Sequence, residues 1–164
     1  MTTPAILSCA PNGQPILKIK KLHPDAELPS YATDGSACFD LAAVDVYPPM
    51  GRTVQVGDPA VFRTGLAFEI PQGWVMLIFP RSGHGFNNST RLANCIGVID
   101  SDYRGEVRVK LTRDYCNYTG LLKVKNGNRI AQAMLVRADQ WAFEMVEELS
   151  ETDRGEGGFG STGA

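Results

Sequence analysis

Histidine and closely spaced cysteine are scarce in this chain. Only His23 and His84 offer an imidazole, and Cys9, Cys38, Cys95 and Cys116 form no C-x-x-C pair. A structural zinc centre needs four nitrogen or thiolate ligands in tight spacing, so none is expected, and the thiols read as free in a reducing compartment. Long apolar runs are missing too. No stretch of about 20 apolar residues occurs, and the N-terminal residues lack a charged region followed by an apolar core, which predicts a cytoplasmic protein rather than an exported or membrane-inserted one. Positive charge is also limited. Sixteen Lys and Arg stand against eighteen Asp and Glu, giving a net charge of -2, without the broad basic field needed to grip long nucleic acid. A small phosphorylated ligand remains compatible with that balance. At 164 residues, one domain with one core is expected.

What the chain does have is a succession of short β-type runs broken by Gly, Pro and Asn. Strands are expected over Ile16–Lys20, Ala37–Ala42, Val61–Ile70, Trp74–Phe79, Glu106–Thr112, Leu121–Lys125 and Ile130–Arg137. Reversals are expected at Pro48-Pro49-Met50-Gly51, Pro71-Gln72-Gly73 and Asn126-Gly127. The segment from Glu106 to Thr112 alternates polar and apolar, as a strand with one wet face does. Val75 to Phe79 does not alternate, which suits a strand covered on both faces, by a second sheet or by a partner subunit. Gln140 to Leu149 alternates about as well as it cycles and is expected to be strand turning into tail. A brief helical turn after Ser82 is the one helix expected. The fold class is all-β.

Four internal segments carry candidate chemistry. Pro80-Arg81-Ser82-Gly83 leaves the apolar strand with a cation, a hydroxyl and an unhindered amide in succession, a cradle for phosphate oxygens that free helix N–H groups would reinforce. The alternative is a structural one: Arg81 pairs with a neighbouring carboxylate and Ser82 caps the turn. Asn94 to Glu106 reads as a hairpin around an Asp-Ser-Asp-Tyr-Arg-Gly turn, whose arms leave a slot suited to one base edge, or else as an ordinary surface turn. Gly97, Val98 and Ile99 supply backbone there, with Asn94 at the mouth. Asp100 follows the apolar Val98-Ile99 pair, and partial burial suits it to act as a base toward water. Gln132, at the end of Asn126-Gly127-Asn128-Arg129-Ile130-Ala131-Gln132, is placed inside the sheet to hold a phosphate oxygen, a water or a structural hydrogen bond. Asp40, at the head of a strand, is within the chemistry of a hydrated magnesium ion.

The glycine-rich end, Arg154-Gly155-Glu156-Gly157-Gly158-Phe159-Gly160-Ser161-Thr162-Gly163-Ala164, is costly to order alone. Yet Arg154, Ser161, Thr162 and the amide of Gly160 are ready ligands for phosphate, and Phe159 has a ring that can lie flat on a nucleobase. Gly155-x-Gly157-x-x-Gly160 imitates a dinucleotide-binding fingerprint but lacks the flanking strand and helix, and Gly160 stands where a P-loop requires Lys. A disordered terminus is the competing reading.

Taken together, residues 34–43, 80–83, 94–106, 126–132 and 154–164 resemble, in order and spacing, the five sequence motifs of the trimeric dUTP diphosphatase (dUTPase) family. The resemblance runs over roughly residues 34 to 164. It implies a β jelly-roll homotrimer with shared active sites that hydrolyses dUTP to dUMP and diphosphate with Mg²⁺, lowering dUTP and supplying dUMP. By position it implies Asp100 as the carboxylate orienting the attacking water, with Arg81, Ser82, Gly83 and Gln132 on the phosphates. It implies Asn94 with the Gly97-Val98-Ile99 backbone on uracil and Tyr103 against deoxyribose. Arg154, Gly160, Ser161 and Thr162 would grip the γ-phosphate, Phe159 would cover uracil, and Asp40 would touch magnesium through water. Residues 147–164 are then an acidic linker and a closing tail of one domain over 1–164. Cys38, His84 and Asn128 depart from the family pattern, which has glycine, a small apolar residue and commonly an acid at those positions. Two other readings are a dCTP deaminase-like enzyme and a dUTP-gated switch that binds a regulatory protein.

Overall fold

The computed structural model describes residues 7–115 and 121–158. Twelve strands and one helix follow in order: β1 (Lys18–Lys21), β2 (Ser30–Tyr31), β3 (Phe39–Ala42), β4 (Arg52–Thr53), β5 (Ala60–Arg63), β6 (Leu66–Glu69), β7 (Trp74–Phe79), α1 (Ser82–Asn88), β8 (Thr90–Leu92), β9 (Gly97–Ile99), β10 (Arg108–Arg113), β11 (Lys123–Val124) and β12 (Arg129–Arg137). They form a five-stranded sheet in the order β2-β3-β12-β7-β9, a three-stranded sheet β5-β10-β8, and two two-stranded pairs, β1-β6 and β11-β4. Every one of these ladders is antiparallel. The result is all-β, as the short punctuated runs predict, and jelly-roll-like, as the family resemblance implies.

The alternation of each strand sets which side chains meet between the sheets. Leu41, Met76 and Ile130 from the five-stranded sheet and Leu92, Val109 and Leu111 from the three-stranded sheet are buried in one cluster. Each such side chain contributes roughly 1.5–3 kcal/mol relative to an exposed position. Along β7, Met76 and Ile78 are buried while Val75, Leu77 and Phe79 are half-buried. The expected two-sided cover is therefore complete on one face and partial on the other within the single chain.

The β-type run expected from Val61 to Ile70 is two strands, and the break has a physical cause. Thr64 is fully buried and its hydroxyl donates to the Val107 carbonyl at 2.7 Å. Gly65 then takes φ +65, and a Cβ there would come within 2.8 Å of the Ala26 Cβ, so both conformation and space demand glycine. The reversals arise where expected, with Gly51, Gly73 and Gly127 at positive φ.

Past Ala138, whose amide bonds the Gly73 carbonyl at 2.9 Å, the expected strand over Gln140–Leu149 does not form. That stretch is irregular, because no described backbone lies beside it to complete a ladder. Its apolar side chains are bare: Trp141 is 79 % exposed and Phe143 and Met145 are each 99 % exposed. No helix among the described residues is long and apolar enough to cross a membrane.

Candidate active site

Three neighbouring strands gather residues that are far apart in sequence. The register of the five-stranded sheet sets Gln132 on β12 opposite Asp40 on β3 and opposite Phe79 on β7. With strands about 4.8 Å apart, that row brings the amide and the carboxylate to the end of β7, from which Pro80-Arg81-Ser82-Gly83 continues directly. Arg81 Nε donates to Asp40 Oδ1 at 2.8 Å, and Arg129 Nη1 donates to Asp40 Oδ2 at 3.1 Å. The Asp40 side chain is 13 % exposed, against 25 % for Arg81 and 53 % for Arg129. One nearly buried carboxylate thus orients two guanidinium groups, and their charges compensate its burial.

The structural alternative weighed for Arg81, pairing with a carboxylate, is therefore realised, and it leaves the phosphate reading standing. The pair uses Nε, the inner nitrogen of the guanidinium. Gln132 also takes its structural alternative, its Nε2 donating to the Pro80 carbonyl at 3.0 Å, which ties β12 to the start of the cradle. Ser82 does not cap the helix. Arg81 is the N-cap residue, at φ -86 and ψ 137, no side chain caps that end, and α1 stops at Ser89 with φ 48. Ser82 and Gly83 are exposed at its start.

His84 lies in the first turn of α1 with its Nδ1 buried and unpartnered. Burial lowers its affinity for a proton, the neighbouring Arg81 charge lowers it further, and Asp40 opposes both. A folded imidazole that binds its proton less readily than the unfolded one loses stability as pH falls below about 6.5. His84→Leu is accordingly expected to stabilise the fold by about 1 kcal/mol near pH 8. The gain should grow toward pH 5.5, as read by thermal unfolding at both values.

The second part of the site is a cleft of about 560 Å³ between residues 98–100 on one side and Tyr103 and 105–108 on the other, within the range of small-molecule pockets. Its two arms were expected to be a hairpin, and they do not pair. β9 joins β7, with Val98 opposite Leu77 and Gly97 opposite Ile78, while β10 joins β5 and β8 in the other sheet. The chain crosses between sheets through the turn, so the slot stays open. β9 is an edge strand, and its outer backbone groups face no described strand. Such a row of donors and acceptors suits the edge of a base.

Val98 is 60 % exposed, and Asn94 is exposed ahead of the strand. Asp100 is exposed as well, which corrects the expected partial burial: it sits just past β9, where the apolar pair ends and the chain turns outward. Its backbone carbonyl accepts the Tyr103 amide at 3.2 Å. The Tyr103 hydroxyl donates to the Glu106 carbonyl at 3.1 Å.

In the glycine-rich end, Arg154 is exposed and its Nε donates to the Gly157 carbonyl at 2.7 Å. Phe159, Gly160, Ser161 and Thr162 lie outside the described residues. Arg129 and Glu106 were missed as site residues. Arg129 stands inside a segment singled out for Gln132, and its one signal was its place at the head of a strand. Glu106 looked like the wet face of an alternating strand, yet its side chain is 7 % exposed.

An all-β fold with an arginine-lined corner on one sheet and an open, nucleoside-sized cleft between two sheets belongs to the class of nucleotide-handling β-proteins. The dUTPase family model matches residues 24–163, and the chain belongs to that family. It is 43 % identical over 147 residues to the deoxyuridine 5'-triphosphate nucleotidohydrolase of Nautilia profundicola, covering 90 % of this chain and 98 % of the relative. It is 42 % identical to that of Dictyoglomus turgidum, over 88 % and 96 % of the two chains. Among solved structures, the dUTPase of Staphylococcus bacteriophage 80alpha with dUPNHPP superposes with a TM-score of 0.79 at 25 % identity, covering 91 % of this chain and 99 % of that one.

Proposed function

We propose that the chain hydrolyses dUTP to dUMP and diphosphate, with the base in the cleft beside β9 and the triphosphate against the Arg81 corner. The observation that carries this reading is the pairing of β7 with β9. Ile78 lies opposite Gly97, so the strand that ends in the arginine cradle is hydrogen-bonded to the strand that lines the cleft. Asp100 follows Ile99, which lies opposite Met76, so within one chain it stands at the other end of β7 from Arg81, and in this reading the corner and the cleft that share one nucleotide come from different copies.

In this reading Asp100 orients the water that attacks the α-phosphorus in line, and Arg81, Ser82 and Gly83 hold the phosphate oxygens. Asn94 and the backbone of Gly97, Val98 and Ile99 read uracil, and the ring of Tyr103 covers the sugar. Magnesium fits the donor set: a hard cation that keeps its waters is held chiefly by phosphate oxygens. The protein presents one nearly buried carboxylate at the corner, and no group of three His, Cys, Asp or Glu close enough to hold a metal occurs among the described residues. Asp40, whose oxygens are engaged by two arginines, would meet such an ion through water. Bound there, the ion would neutralise developing charge on the phosphates.

The working unit is a homotrimer with shared sites. Trp141, Phe143 and Met145 are left bare by the described residues of their own chain, and a neighbouring copy would cover them. The tail beyond Arg154 then closes on a site and excludes water. Removing residues 154–164 is expected to leave the trimer intact and reduce kcat/KM for dUTP by about 10²–10³-fold. Light scattering and steady-state kinetics on the truncated protein check both halves of that statement.

The reading is tested by measuring diphosphate release from dUTP, dTTP, dCTP, dATP, dGTP and UTP with magnesium present. Activity confined to dUTP is expected. Ammonia release from dCTP would replace this reading with a deaminase, and tight dUTP binding without turnover would replace it with a nucleotide-gated switch.

A further inference from the structure

Tyr103 is the aromatic side chain of the cleft, and its ring is held from two directions. Its hydroxyl donates to the Glu106 carbonyl at 3.1 Å. The ring also lies over Gly105 so closely that a Cβ there would come within 2.6 Å of the tyrosine Cζ. Gly105 is not at positive φ, so contact with the ring, and not backbone conformation, is what a side chain at that position would disturb.

The residue that receives the hydroxyl is itself fixed. The Glu106 carboxylate accepts from Arg63 Nε at 3.0 Å and 3.1 Å, from the Gly65 amide at 3.0 Å and from Arg108 Nε at 3.1 Å. Its side chain is 7 % exposed. Burial alone would raise its proton affinity, but the hydrogen bonds from Arg63, Gly65 and Arg108 outweigh that and hold the carboxyl below the usual range. Arg63 continues to Asp45 through a bond of 2.8 Å. Arg63 and Gly65 stand at the junction of β5 and β6, so this carboxylate fastens the turn that carries Tyr103 to the body of the barrel.

We propose that Glu106 is a positioning residue for sugar selection: clamped by Arg63, Arg108 and the Gly65 amide, it fixes the carbonyl that holds the Tyr103 hydroxyl and so sets how closely the ring approaches the 2′ position of the nucleotide. The inference rests on the reading of the cleft as the nucleoside pocket. A ring held in one place rejects an added 2′-hydroxyl by contact, whereas a ring free to swing accommodates it. Discrimination between dUTP and UTP is then a property of the Gly105-Glu106 support as much as of the tyrosine.

The test compares kcat/KM for dUTP and UTP in the wild type, Tyr103→Ala, Glu106→Gln and Gly105→Ala. Glu106→Gln and Gly105→Ala are each expected to lower the dUTP-to-UTP ratio by about tenfold, chiefly through a lower KM for UTP, and Tyr103→Ala at least as far. Gly105→Ala leaves every charge in place and decides the matter if Glu106→Gln does not fold. A ratio that falls in Tyr103→Ala but stays at the wild-type value in Glu106→Gln or, where that variant does not fold, in Gly105→Ala overturns the clamp alone. So does an equal loss of activity on both nucleotides, as a purely structural role would give. A ratio unchanged in Tyr103→Ala overturns the assignment of the ring to the sugar, and the clamp with it.

Discussion

Asp100→Asn is expected to bind dUTP about as tightly as the wild type and to turn it over about 10³-fold more slowly, within the span that a positioned general base contributes. The position explains why the two quantities separate. Asp100 lines the cleft at the point where β9 ends, and its backbone carbonyl holds the Tyr103 amide at 3.2 Å. Asparagine preserves that bond and the side-chain shape, so the pocket walls stay in place. What it removes is the negative oxygen that orients a water and takes its proton. Binding of a dUTP analogue by calorimetry beside single-turnover hydrolysis reads both quantities, and a rate near the wild-type value would remove Asp100 from the mechanism.

Arg81→Ala is expected to reduce kcat/KM by about 10³-fold, or roughly 4 kcal/mol of transition-state stabilisation, because a charge-assisted fork is lost from a crowded set of phosphate oxygens. A second effect separates this variant from the first. Among the described residues, the Asp40 carboxylate would keep only Arg129 as an ion-pair partner while its side chain stays nearly buried, so folding stability should drop by about 1–3 kcal/mol as well. Arg81→Lys tests the geometry of the fork. It restores a charge without the planar pair of donors, and most of the activity loss should persist. Thermal unfolding and kinetics on the two variants check this, and full activity in Arg81→Lys would mean that charge alone matters at the corner.

The arginine cradle was legible in the sequence because its signals are local. An uninterrupted apolar run must be a covered strand, and a cation, a hydroxyl and a glycine that follow it leave the sheet together. Turn residues likewise placed the reversals at Gly51, Gly73 and Gly127. The misses are nonlocal. Residues 94–106 have the composition of a hairpin, and only the partners of each arm, β7 on one side and β5 with β8 on the other, show that they separate. Glu106 alternates as an outward residue should, but Arg63 and the Gly65 amide, distant in sequence, join the nearby Arg108 in holding it inward. Arg129 gains its role only from a register that brings β12 beside β3. Gln140–Leu149 shows the opposite failure, since β-type alternation alone cannot form a strand where no strand among the described residues lies beside it.

The central claim is that these separate groups converge on one deoxyuridine triphosphate, and structure determination of the trimer with magnesium and a non-hydrolysable dUTP analogue tests it most directly. The account predicts the Asp100 carboxylate one bridging water from the α-phosphorus, Arg81 on the phosphates and uracil against the free edge of β9. A complex with the carboxylate of Asp100 remote from the α-phosphorus would contradict it.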